Sequence, residues 1–139
     1  MSHQHLFEEQ VRADPAELSS LRADFATWLQ DEGAPATEID DWRLVVSELA
    51  ANACAASPDG ANIDVRATNA AGRVVLRVRN LAGVAMVPRV PSAVDPTAEG
   101  RRGLFVVDRL TDGVVFEVDD GFVCATCWKH TGASAGAHA

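Results

Sequence analysis

The chain is poor in cysteine, in basic charge, in internal histidine and in long apolar runs, and each shortage removes a class of function. Three cysteines in 139 residues are an odd number and too few for a disulfide framework, so free thiols in a reducing compartment are expected. No apolar run approaches the ~18 residues that span a bilayer. The opening MSHQHLFEEQ carries neither the basic segment nor the apolar segment of a secretion signal, which predicts a cytoplasmic protein with no membrane partner. Twelve basic residues face twenty acidic ones, and the resulting charge of -8 repels nucleic acid, so direct nucleic-acid binding is not expected. The histidines, His3, His5, His130 and His138, lie towards the termini, which leaves no basis for a Ser-His-Asp triad or a histidine phosphoacceptor.

What remains is a hydrophobic content of 47%, enough for one domain with one core. The segment His5 to Ala13 alternates loosely as a strand and ends at Asp14-Pro15, a pair suited to open a helix. Leu18, Leu21, Phe25, Trp28 and Leu29 recur at helical spacing up to about Asp31. After EGAPAT, Thr37 is the expected N-cap of a second helix that runs to about Ala56. NIDVRAT and RVVLRVRN read as a hairpin around NAAG. From Leu81 to Arg101 the chain carries Pro88, Pro91 and Pro96 without periodicity, a long segment of the kind that forms a lid, a binding loop or a disordered stretch. GLFVVDRLTDG reads as a short helix, and VVFEVDDGFVCATCWK as a closing hairpin around Asp119, Asp120 and Gly121. The order predicts an α+β two-layer sandwich, an antiparallel or mixed sheet with helices on one face, over residues 1–130, with 131–139 as a disordered tail.

Two constellations carry possible chemistry. On a helical wheel of the second helix, Trp42, Val45, Val46, Leu49, Ala53 and Ala56 form a core face, while Leu44, Ala51 and Ala55 form another apolar group. Glu48 and Asn52 fall between them, one turn apart. Periodicity alone allows these two to be an ordinary solvated margin. If the groove is covered, the carboxylate can act as a base on a hydroxyl and the amide oxygen can hold a hard cation such as magnesium. The second constellation is EGRRGLFVVDRL, where Gly100 and Gly103 precede a helix whose positive end favours a phosphate. As a bare GxxG it is equally a loop-to-helix turn.

Taken together, VVSELAANA, the strand ending RVRN, the variable loop, GRRGLFVVDRL and the closing strand pair resemble the histidine-kinase-like ATPase superfamily, over about His5 to Lys129. The nearest branch in this resemblance is that of the small anti-sigma-factor serine/threonine kinases of bacterial partner-switching systems. The resemblance implies ATP and Mg2+ as cofactors, Glu48 as general base, Asn52 as magnesium ligand, and Gly100, Arg102, Gly103 and Leu104 as the phosphate loop. Asn80 stands where the family has an aspartate for the adenine amino group, Ala82 and Val84 where glycines are usual, and Val123 where a threonine supports adenine. Ala55 and Ala56 occupy places where the family often has a basic residue or histidine.

The function implied is transcription regulation by an ATP-binding anti-sigma factor that phosphorylates an anti-sigma antagonist. Its partners would be a sigma factor, the antagonist and, in one arrangement, a second copy of itself. The alternative is a nucleotide-independent protein-binding module of the same fold. CATC, Cys124 to Cys127, has metal-ligand spacing, but residues three apart on a strand face opposite sides of a sheet.

Overall fold

The computed structural model describes residues 5–81 and 99–130, and side chains from position 103 onward in the second segment. The expectations for 82–98 and for 131–139, including Ala82 and Val84, lie outside the described residues. The elements run β1 (Leu6–Arg12), a short 3-10 turn (Pro15–Glu17), α1 (Leu18–Asp31), α2 (Ala36–Ala56), β2 (Asn62–Ala70), β3 (Arg73–Leu81), α3 (Glu99–Leu110), β4 (Gly113–Asp119) and β5 (Phe122–His130).

Local chemistry accounts for most of these boundaries. Asp14 caps the 3-10 turn by accepting from the Ala16 amide at 3.0 Å, with Pro15 behind it, as the Asp-Pro pair predicts. Helix α2 starts one residue before the expected cap. Pro35 is extended and its carbonyl accepts from the amides of Glu38 and Ile39, both at 3.0 Å, so Pro35 takes the N-cap place and Thr37 lies inside the first turn. The β2–β3 and β4–β5 hairpins each turn on two residues with positive φ, Ala71-Gly72 and Asp120-Gly121, the conformation of tight turns that suit the twist of paired strands. Helix α3 differs most from expectation: it begins at Glu99, so Gly100 to Gly103 forms its first turn instead of a loop before it.

The five strands form one antiparallel sheet in the order β1-β2-β3-β5-β4. Strand parity separates its two faces. Ile63, Val65 and Ala67 of β2, Val74, Leu76 and Val78 of β3, and Val123, Ala125 and Cys127 of β5 are buried beneath the helices. Above them Leu21, Phe25, Leu29, Trp42, Val45, Val46 and Leu49 close the core. Phe25 sits 5.3 Å from the ring of Phe7 and 5.9 Å from that of Trp42, joining β1, α1 and α2 through aromatic contact. The other sheet face carries no helix among the described residues.

The parity argument for the cysteines holds. Cys124 lies on the uncovered face opposite Arg79, whereas Cys127 is fully buried opposite Leu76. Burial pushes the Cys127 thiol up to about 12, which keeps it protonated and unreactive.

Candidate functional site

The core face of α2, anchored by Trp42, Val46 and Leu49, fixes the rotation of the helix and leaves Glu48 and Asn52 half-buried at one margin, one turn apart. Helix α3 packs along that margin. Leu104 and Val107 are buried, and they hold the first turn of α3 against α2. The approach is so close that a Cβ added to Gly103 would collide with Oε1 of Glu48 and lie 3.1 Å from its Cδ. The Glu48 carboxylate therefore rests against bare backbone near the N-terminal, positive end of a helix. Only a glycine at 103 permits this.

One turn further along α2 the surroundings change. Leu49, Asn52, Ala53 and Ala56 of α2 face Val78 and Asn80 of β3, Val123 and Ala125 of β5, and Phe116 of β4 around a cavity of about 30 Å³. Asn80 is 4% exposed, and its Nδ2 donates to the Leu81 carbonyl at 3.4 Å, the long end for such a bond. Nδ2 of Asn52 is buried without a hydrogen-bond partner among the described residues. A buried orphan donor costs roughly 1–3 kcal/mol, and a water or ligand oxygen in the adjoining cavity would offset that cost. The cavity is large enough for one water and far below the ~300–1,000 Å³ of a small-molecule pocket.

The structure thus brings the sequence candidates into two groups along one helix edge. Glu48, Gly103 and Leu104 meet at one end, and Asn52, Asn80 and Val123 at the other. Gly100 and Arg102 lie on the first turn of α3 beside the first group, their backbone in helical conformation. The donor set suits a magnesium-bound phosphate: an amide oxygen is a hard ligand, and magnesium binds through few protein groups because it keeps waters and phosphate oxygens. Asn52 offers the amide oxygen such an ion takes, its unpartnered Nδ2 is a donor for a phosphate or water oxygen and not a metal ligand, and the side-chain-free approach at Gly103 fits a phosphate. Phe116 was not a sequence candidate. Its place follows from pairing with Ala125 across β4 and β5, which the hairpin register decides.

The model of the histidine kinase-like ATPase domain family matches residues 11–127. No protein of curated function matches the chain. Among solved structures the chain is similar to the crystal structure of the RsbU and RsbW domains of Rv1364c from Mycobacterium tuberculosis, with a TM-score of 0.70 and 20% sequence identity. That match covers 91% of this chain and 32% of the other, so the chain spans a third of its length, and the likeness is one of fold. No described helix is long and apolar enough to cross a membrane.

Proposed function

The chain belongs to the family of histidine kinase-like ATPase domains, and from that premise we propose that it is an anti-sigma regulatory factor that binds ATP with magnesium and phosphorylates an anti-sigma antagonist protein. The observation that supports this best is the contact between the Glu48 carboxylate and the backbone of Gly103. It sets a proton acceptor beside the first turn of α3, where unpaired amides and the helix dipole favour a phosphate.

In this reading Glu48 accepts the proton of the attacking serine or threonine hydroxyl on a carboxylate oxygen. Asn52 turns its amide oxygen to magnesium. Gly100, Arg102, Gly103 and Leu104 form the turn that cradles the terminal phosphate, Gly103 by backbone approach and Leu104 by anchoring the turn in the core. Asn80 receives the base through its amide oxygen. Bound magnesium ATP supplies the phosphoryl group and the metal charge that offsets its oxygens. Positioning does most of the work in such a transfer, so a small set of groups suffices. The protein acts in the cytoplasm on a sigma factor and an antagonist, as a monomer or a homodimer.

A second reading draws on the other end of the cleft. Val123 and Phe116 crowd Asn80 and leave room for a single water. On that basis the fold serves as a protein-binding module that needs no nucleotide. Calorimetric titration with magnesium ATP separates the two. Binding in the micromolar to low millimolar range, lost in Asn52→Ala, supports the kinase. Absent binding at several millimolar ATP favours the module, and transfer of labelled phosphate to a partner then has no place.

A further inference from the structure

The sheet face turned away from the helices is built as an interface. Its outward positions gather five of the chain's twelve basic residues, Arg12, Arg66, Arg73, Arg77 and Arg79, on a molecule whose net charge is -8. No lysine stands among them, since Lys129, the one lysine of the chain, has the opposite parity and pairs with Asp41 at 3.2 Å. Phe122 and Trp128 of β5 share the face, as do the exposed side chains of Leu6, Leu81 and Val115. Arginine and aromatic residues gathered together are a composition enriched at binding surfaces.

The arrangement of the arginines is more telling than their number. Arg66 and Arg77 stand directly opposite each other across β2 and β3, a like-charge pair that costs stability in a sheet. Glu8 engages Arg66, and Asp64 lies 3.9 Å from Arg79, whose guanidinium also stacks 3.8 Å over the ring of Phe122. Arg77, between them, has no carboxylate partner among the described residues. These three guanidiniums rim a shallow cleft of about 520 Å³ that Glu8, Gln10 and Asp64 also line. Guanidinium groups bind carboxylates in paired hydrogen bonds, and an arginine already stacked on an aromatic ring is oriented for it.

We infer that this uncovered sheet face is a docking surface for an acidic, extended segment of a protein partner, whose carboxylates meet Arg77 and Arg79 and whose apolar side chains pack on Leu81 and Phe122. A polyanion such as nucleic acid fits less well, because Glu8, Asp64, Glu117 and Asp119 interleave with the arginines and break any continuous basic track for regularly spaced phosphates, whereas a segment that alternates carboxylates with apolar side chains needs only separate guanidiniums with apolar surface between them. The inference is independent of the nucleotide reading, since the face lies across the sheet from Glu48 and Asn52.

The test uses the full chain and fluorescence anisotropy with a labelled peptide that alternates Glu and Leu, beside a Lys–Leu peptide and a single-stranded oligonucleotide. The wild type is expected to bind the Glu–Leu peptide in a salt-sensitive way, with and without ATP. Arg77→Glu should weaken that binding by at least about tenfold, and Arg77→Gln by less, as expected for a charge contact at an interface. Arg43→Glu, on the exposed side of α2, should leave it unchanged. Equal binding of the two peptides, equal loss in the Arg43 and Arg77 variants, or an oligonucleotide that binds as well as the peptide would each overturn the proposal. Arg77 is exposed, and a thermal melt of each variant separates a loss of binding from a loss of fold.

Discussion

The two ends of the α2 edge are held by different means. At Glu48 the neighbour is backbone, and the fit exists because Gly103 has no side chain. At Asn52 the neighbours are side chains, with Asn80, Val123 and Phe116 drawn from three strands around one small cavity. Any Cβ at 103 meets the end of the Glu48 side chain, which must turn aside for it. Side-chain contact can be retuned by one substitution without moving the fold. The two ends therefore respond to substitution differently, the first through one side chain that must turn aside and the second through packing drawn from three strands.

On the kinase reading proposed above, substitution at Gly103 should have the largest effect. Gly103→Val should abolish detectable magnesium ATP binding by calorimetry, because a branched side chain displaces the Glu48 carboxylate and pushes α3 from α2. Gly103→Ala sharpens the point, because the obstructing atom is the end of a flexible side chain. Alanine in a helix gains about 1 kcal/mol over glycine, so the melting temperature should hold or rise while nucleotide binding falls. Unchanged binding in Gly103→Ala would show that the Glu48 contact is incidental.

Asn80→Asp tests the other end. It introduces a carboxyl at a position 4% exposed, and the cost of a buried polar group without a full set of partners is about 1–3 kcal/mol. If a base occupies this end, saturating ATP should raise the melting temperature of the variant by more than it raises the wild type. An equal shift in both proteins would place the base elsewhere. Asn52→Ala should be smaller still in stability, about 1 kcal/mol in the favourable direction, because it deletes a buried donor that has no described partner. A clear fall in its melting temperature without ligand would mean that Asn52 serves the fold.

The weakest expected effect lies on β1, away from both ends. Glu9 faces the helices between Phe7 and Val11, and its carboxyl is raised to about 7 by burial, then by the hydrogen bond its protonated form donates to Asp24 and by the charge of Asp24. Between pH 4.5 and 7 the folded state holds a proton that the unfolded state has lost. Stability from this group is complete below the unfolded pKa and is lost as pH rises through 7. Partial exposure screens the effect to about 1 kcal/mol or less. Glu9→Gln should flatten the dependence of melting temperature on pH over this range, and an unaltered slope would assign it to other groups.

Much of this was legible in the residues. Helical spacing from Leu18 to Leu29 and from Trp42 to Ala53, strand alternation in β2 and β3, and the turn chemistry of Asp120-Gly121 all appear where local pattern dictates them. The wheel also put Glu48 and Asn52 on one margin. Thr37 failed as a cap because Pro35 supplies a carbonyl in the right place first, and local propensity cannot rank two adjacent candidates. The helical state of Gly100 to Gly103 was hidden because glycine pairs punctuate loops more often than they open helices.

The sequence by itself determined the class of fold, the core face of each element and the residue types available for chemistry, because these depend on period and composition within one segment. Tertiary structure alone decided that Gly103 touches Glu48, that Phe116 and Val123 close on Asn80, and that Arg66 faces Arg77. Each of those contacts joins segments 11 to 55 positions apart in the chain, and only the register of the sheet and the packing of α3 on α2 bring them together.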